Sequence, residues 1–181
     1  MQRFEMIAIQ PFSMGKWKFK TALVTALEEI FKISVCYQPD IPVPPDTYNA
    51  NRGQYRAREL LEELTRIKMG NSHVILGITK VDLYEPELNF VFGLASTYEG
   101  ASVISIRRLS NSFYGLAADD ELYFARILTE AVHEIGHVLG LPHCPDARCV
   151  MHFSNSLADT DEKGYRFCPS CQDKMERTKT L

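Results

Sequence analysis

The chain has 181 residues, 45% of them hydrophobic and 24% charged, with a formal net charge of −3. These values fit one globular domain that buries roughly 70% of its unfolded surface, and they exclude a disordered chain, a collagen-like repeat and a coiled-coil rod. With 20 basic and 23 acidic residues there is no polyanion footprint, so no nucleic-acid partner is expected.

Phe4 to Gln10, ending before Pro11, reads as a first buried strand. Lys18 to Ile33 carries Phe19, Leu23, Ala26, Leu27, Ile30 and Phe31 at helical spacing. Ser34 to Tyr37 is a short strand, and the four prolines between 39 and 45 demand an extended surface loop. Tyr55 to Met69, with Leu60, Leu61, Leu64 and Ile67 on one face, is a second helix. Ser72 to Leu83, a β-branched run, is expected as one central strand. Leu88 to Leu94 and Ala101 to Leu109 are further strand candidates, with Gly93 marking a bulge or a close backbone approach. From Asp119 the pattern turns helical, with Asp119 as cap and Leu128, Ala131, Val132, Ile135 and Leu139 as core stripe. Gly140 sits where a helix-ending glycine belongs, and a last helix is expected near Gln172 to Lys179.

The N-terminal apolar run, Met6 to Ile9, is too short for a signal-peptide core. No window reaches the roughly 18 consecutive apolar residues of a membrane span. A cytoplasmic protein without a membrane partner is expected. In that reducing setting, clustered cysteines are read as metal ligands before disulfides.

The capped helix ends in His133-Glu134-Ile135-Gly136-His137, followed by Gly140 and His143. This is H-E-x-x-H-x-x-G-x-x-H. Two histidines four apart share one helix face, with Cβ atoms about 5–6 Å apart, which suits two imidazoles on one zinc. A glycine with positive φ turns the chain, so that His143 returns as a third ligand instead of travelling roughly 9 Å further along the axis. Three protein ligands leave a fourth position open, as a catalytic zinc requires. Glu134 stands beside a ligand and is the candidate general base for hydrolysis of an amide bond.

Five cysteines are present, and Cys144, Cys149, Cys168 and Cys171 fall within the last 38 residues. The spacing C-x₄-C, 18 residues, C-x₂-C is that of a closed structural zinc site made of two pairs. Two disulfides, scattered buried thiols, or a redox role for Cys168 and Cys171 are the other readings of the same pattern. Cys36 reads as a small buried hydrophobe, and His73 and His152 fit no ligand spacing.

The histidine motif running into Cys144, Cys149-Val150-Met151 and Cys168-Pro169-Ser170-Cys171 resembles the archaemetzincins, a branch of the metzincin zinc peptidases. Arg52-Gly53-Gln54-Tyr55, Asp82-Leu83-Tyr84 and Asn89-Phe90-Val91-Phe92-Gly93 extend the resemblance over most of the chain. The resemblance implies a compact metzincin-like α/β fold: a twisted, mostly parallel sheet with one antiparallel edge strand, an active-site helix, and a short zinc-stapled C-terminal part. One peptidase domain over 1–181 is expected, with an upper part (1–140) and a small C-terminal part (141–181). His133, His137 and His143 would hold the catalytic zinc, with Glu134 as base. Cys144, Cys149, Cys168 and Cys171 would hold a second, structural zinc, and Met151 would be the Met-turn residue beneath the catalytic metal. Phe90, Val91, Phe92 and Gly93 are the candidate substrate edge strand, able to pair with an extended peptide.

The function expected is that of a zinc-dependent metallopeptidase acting on peptides or proteins as a monomer, with an aminopeptidase mode left open. The alternative is a two-zinc binding or interaction protein with little or no proteolytic activity. In it, Cys144 could even close the histidine site with a thiolate.

Overall fold

Alternating side chains of a five-stranded sheet are sorted between two helix layers. A computed structural model describes residues 4–70 and 73–180. Its elements are β1 (Met6–Phe12), α1 (Lys20–Phe31), β2 (Ser34–Tyr37), β3 (Tyr48–Asn49), β4 (Gln54–Arg56), α2 (Ala57–Ile67), β5 (His73–Thr79), β6 (Leu83–Tyr84), β7 (Gly93–Ser96), β8 (Ala101–Ser105), α3 (Asp120–Val138), α4 (Leu157–Lys163) and α5 (Pro169–Thr180). The main sheet runs β2-β1-β5-β8-β7, parallel except for the antiparallel edge β7; β3, β4 and β6 form a small second sheet.

The period of two decides which layer each strand residue meets. Ile7 and Ile9, Val74, Leu76 and Ile78, and Ile104 face α1 and α3, where they join Leu23, Leu27, Ile127, Ala131 and Ile135. Ala8, Ile75, Ala101 and Val103 face the other way, onto Ala57, Leu60, Leu61 and Leu64 of α2. The expected core stripe of α3 is buried along its length.

Several expected boundaries move, each for a local reason. β1 runs through Pro11, because β2 has ended there. The Pro11 carbonyl accepts from Ile41 N–H (3.2 Å), so the missing proline donor faces a loop and not a paired strand. The run expected as one strand from 72 to 83 is two: β5 stops at Thr79, and Leu83–Tyr84 pairs with β4 in the other sheet. Ser72 lies outside the described residues. β8 ends at Ser105, and Arg107–Leu109 is a 3₁₀ turn. The largest shift is at the sheet edge. Leu88 to Phe92 is not strand: Val91 N–H bonds the Leu83 carbonyl (3.0 Å) and Ser105 N–H bonds the Phe92 carbonyl (2.8 Å). The antiparallel edge starts only at Gly93, so of the four expected edge residues it contains Gly93 alone.

α4 was not foreseen, although its start carries a legible signal. Ser156 and Asp159 form a capping box, with Asp159 Oδ2 accepting from Ser156 N–H (2.9 Å). Among the described residues no helix is long and apolar enough to cross a membrane.

Gly77 shows how tightly the α2 layer lies on the sheet. A Cβ there would stand 2.7 Å from Leu64 Cδ1, 3.1 Å from Val103 Cγ2 and 3.2 Å from Phe12 Cε2. Gly77→Ala is expected to cost about 1–3 kcal/mol by overpacking, read from urea unfolding; an unchanged midpoint would contradict this packing.

Candidate active site

α3 starts on an Asp119 cap whose carboxylate accepts from Leu122 N–H (2.9 Å), and acidic residues at its first turn suit the positive end of the helix dipole. Its other end is a Schellman turn. Gly140, at φ +86°, donates to the His137 carbonyl (2.9 Å), and Leu141 donates to that of Gly136 (3.0 Å). This turn sends the chain back toward the helix face carrying His133 and His137. The ring of His143 then lies 5.5 Å from that of His133 and 4.7 Å from that of His137, centroid to centroid.

One nitrogen of each helical histidine is spoken for. His133 Nδ1 lies 2.6 Å from the Val150 carbonyl, and His137 Nδ1 lies 2.8 Å from that of Leu141. A carbonyl only accepts, so both Nδ1 atoms carry the proton and both Nε2 atoms present a lone pair. Those two Nε2 atoms are 3.1 Å apart. Facing lone pairs at that distance repel unless a cation lies against both. One nitrogen from each of the three histidines falls within 4.8 Å of the others, so the donor set fits a metal ion. Burial holds all three imidazoles below their ordinary pKa, and the positive Lys163 adds to each, which keeps protons off the would-be ligands.

Two glycines let this helix be approached closely. A Cβ on Gly136 would meet Met151 Sδ at 2.4 Å, so the buried Met151 side chain lies against the helix between the two histidines. A Cβ on Gly93 would meet Glu134 Oε1 at 2.5 Å. The edge strand therefore needs glycine there to admit the Glu134 carboxylate, a close approach by a side chain. Burial pushes the Glu134 carboxyl up to about 8, Glu130 adds to the rise, and Lys163 opposes it. A bound cation would also oppose it.

Glu134 and the three histidines line a cavity of about 720 Å³. Phe90, Val91, Phe92 and Gly93 form one of its walls, so these residues do reach the site although three of them are not strand. Phe153 lies edge-on to His143 at 5.0 Å.

The four clustered thiols meet just below. Cys144 follows His143, Cys149 sits in the turn before Met151, and Cys168 and Cys171 flank the start of α5. Their sulfurs all lie within 4.8 Å of one another and none is in a disulfide. Cys144 gathers with these thiols, 3.8 Å from Cys168, and not with the imidazoles. The backbone N–H of Cys171 holds the Cys168 thiol low, whereas burial pushes Cys149 and Cys171 up. Such a group is suited to a thiophilic cation that would take all four as thiolates.

Sequence reasoning missed one buried pair. Glu130, one turn before Glu134, reads as an ordinary helix-face residue, yet it is buried against the fully buried Lys163 of α4 (3.2 Å) and accepts from Thr160 Oγ1 (3.1 Å). Nothing at sequence level pairs the two, because α4 itself was not read. His152 Nδ1 bonds the Cys144 carbonyl (2.9 Å), and Cys36 is only half-buried.

The model of peptidase family M54 matches residues 32–177. The archaemetzincin of Archaeoglobus fulgidus is 43% identical over 169 residues, covering 93% of this chain and 98% of the relative. That of Pyrococcus horikoshii is 48% identical over 131 residues, 72% of this chain and 70% of the relative. The crystal structure of the Methanopyrus kandleri archaemetzincin superposes with a TM-score of 0.85 at 35% identity, over 98% of this chain and 97% of that one. The A. fulgidus crystal structure, a malonate complex, gives 0.80 at 42% identity, over 93% of this chain and 99% of that one. The chain thus belongs to peptidase family M54, the archaemetzincins, and is a zinc metallopeptidase.

Proposed function

We propose that the protein hydrolyses peptide bonds at the three-histidine site, with Glu134 as general base and a second zinc held by the four cysteines. The observation that carries this reading is the pair of Nε2 lone pairs facing each other at 3.1 Å beside a cavity-lining carboxylate. When bound, zinc supplies the Lewis acidity that polarises water and a substrate carbonyl. His133, His137 and His143 would hold it. Glu134 takes a proton from the attacking water and returns it to the leaving amide nitrogen. Met151 forms the floor of the site through its contact with Gly136. Cys144, Cys149, Cys168 and Cys171 would hold the second zinc as thiolates, and its role would be to keep the turn at 149–151 in place.

A substrate would enter as an extended chain beside the exposed side of β7, with the wall from Phe90 to Phe92 against its side chains. An aminopeptidase also needs an acidic or carbonyl group to anchor the amine. Besides Glu134, the carboxylates lining the cavity are Glu85 and Glu130. Glu85 accepts from Arg58 N–H (2.8 Å), and Glu130 is matched by Lys163. Glu130 is thereby neutralised and Glu85 already has one oxygen taken by the chain, so neither is a dedicated amine anchor, and cleavage within a chain is the mode we propose. The whole of 1–181 is read as one monomeric peptidase domain, in which 141–181 supplies the third histidine and the metal staple.

Three outcomes follow. Against a library of N-terminally blocked peptides the zinc-loaded protein should show cleavage, and Glu134→Gln should lower the rate by roughly 10²–10⁴ while retaining zinc. Undiminished cleavage would remove Glu134 as the base. Cys168→Ser should lower zinc content from about two to about one per chain and depress Tm by several degrees; unchanged metal content would dissolve the cysteine site. Gly93→Ala should displace the Glu134 carboxylate and cut kcat by at least roughly tenfold, and a variant as fast as the wild type would show that this close approach is dispensable.

A further inference from the structure

Residues 52–55, 82–84 and 89–93 include side chains with no role assigned so far. In the folded chain they converge on a single side chain. Gln54 is 6% exposed, and its Nε2 donates to Asp82 Oδ2 (3.0 Å) and to the Asn89 carbonyl (2.9 Å). Its Oε1 accepts from Arg52 Nε (3.0 Å). Arg52 Nη2 in turn donates to the carbonyls of Leu88 (2.7 Å) and Asn89 (3.1 Å), and its guanidinium lies 4.3 Å from the centre of the Tyr84 ring. Asp82 is gripped by two nitrogens of Arg108 (2.6 and 2.7 Å). The same guanidinium sits 4.3 Å over the Phe90 ring.

The object held in this way is the cavity wall from Leu88 to Phe92, which has no regular secondary structure of its own. Two of its carbonyls accept from Arg52 and Gln54, and its central aromatic ring carries the Arg108 guanidinium. Both Nε2 hydrogens of Gln54 are spent on this, so none is left to meet a substrate. A wall held in place before binding spares the peptide the entropic cost of ordering it.

We propose that Gln54, braced by Arg52 and by the Asp82–Arg108 pair, is a positioning residue that fixes the 88–92 wall and thereby governs how tightly an extended peptide is held, not the bond-breaking step. The kinetic half of this inference rests on the peptidase reading; the structural half does not.

Two variants test it. Gln54→Glu keeps the shape, removes both donors and sets a carboxylate against Asp82; Gln54→Met keeps the volume without any hydrogen bond. Hydrogen exchange followed by mass spectrometry reports on the wall, and kinetics on peptides report on binding. Exchange over 85–93 should quicken at least roughly tenfold with the α3 amides unchanged, KM should rise roughly tenfold, and kcat should stay within about twofold. Wild-type exchange over 85–93 in a folded variant would overturn the proposal, as would a fall in kcat at unchanged KM. If the wild-type protein cleaves no peptide, the peptidase reading falls, while the exchange measurement still decides whether Gln54 holds the wall. Should Gln54→Glu fail to fold, Gln54→Met carries the same two measurements.

Discussion

Two imidazole lone pairs held face to face are the constraint around which the rest of the molecule is arranged. Left alone, His133 and His137 would rotate apart or share a proton. They are prevented by backbone carbonyls that pin each Nδ1, one from Leu141 in the turn that ends the helix and one from Val150 in the turn near the cysteines. Val150 lies between Cys149 and Met151, and its own N–H is tied to the Arg166 carbonyl (2.8 Å). The cysteine group and the histidine group are therefore not independent ornaments. The turn that carries Cys149 presents the Val150 carbonyl, and that carbonyl fixes which nitrogen of His133 is free.

The histidine helix is approached from two sides where side chains are missing. Below, Met151 fills the space left by Gly136; above, β7 comes close because Gly93 lacks a Cβ. The buried pair of Glu130 and Lys163 lies on the cavity side of the same helix. An isolated Glu130 charge, one turn from Glu134, would disfavour a second carboxylate there, and Lys163 offsets it. The cost of burying the pair is lowered by Thr160 and by the His152 carbonyl, which share its hydrogen bonds.

Much of this was legible in the sequence, for identifiable reasons. The motif from His133 to His143 fixes spacing along one helix and one turn, and local geometry follows from spacing. The four cysteines were legible as a group because their chemistry is rare and their spacing regular. The helices α1, α2 and α3 announced themselves through apolar stripes. What was not legible depends on long-range partners. The edge strand slipped to Gly93–Ser96 because Leu83, Ser105 and Arg52 claim the backbone of the preceding residues, and no periodicity reports such competition. Ser72 to Leu83 looked continuous, yet its last part belongs to another sheet. Lys163 ends a helix that the periodicity did not reveal. The Ser156–Asp159 capping box could have revealed that helix, but its pairing with Glu130 could not have been read from spacing.

X-ray absorption at the zinc edge on the purified, metal-loaded protein tests the two-site arrangement most directly. With three imidazoles at one site and four thiolates at the other, the mean environment should contain about two sulfurs per zinc at about 2.3 Å, with nitrogen or oxygen at about 2.0 Å for the remainder. A spectrum with sulfur alone, with no sulfur, or with about one sulfur per zinc would contradict an open histidine site standing beside a closed cysteine one.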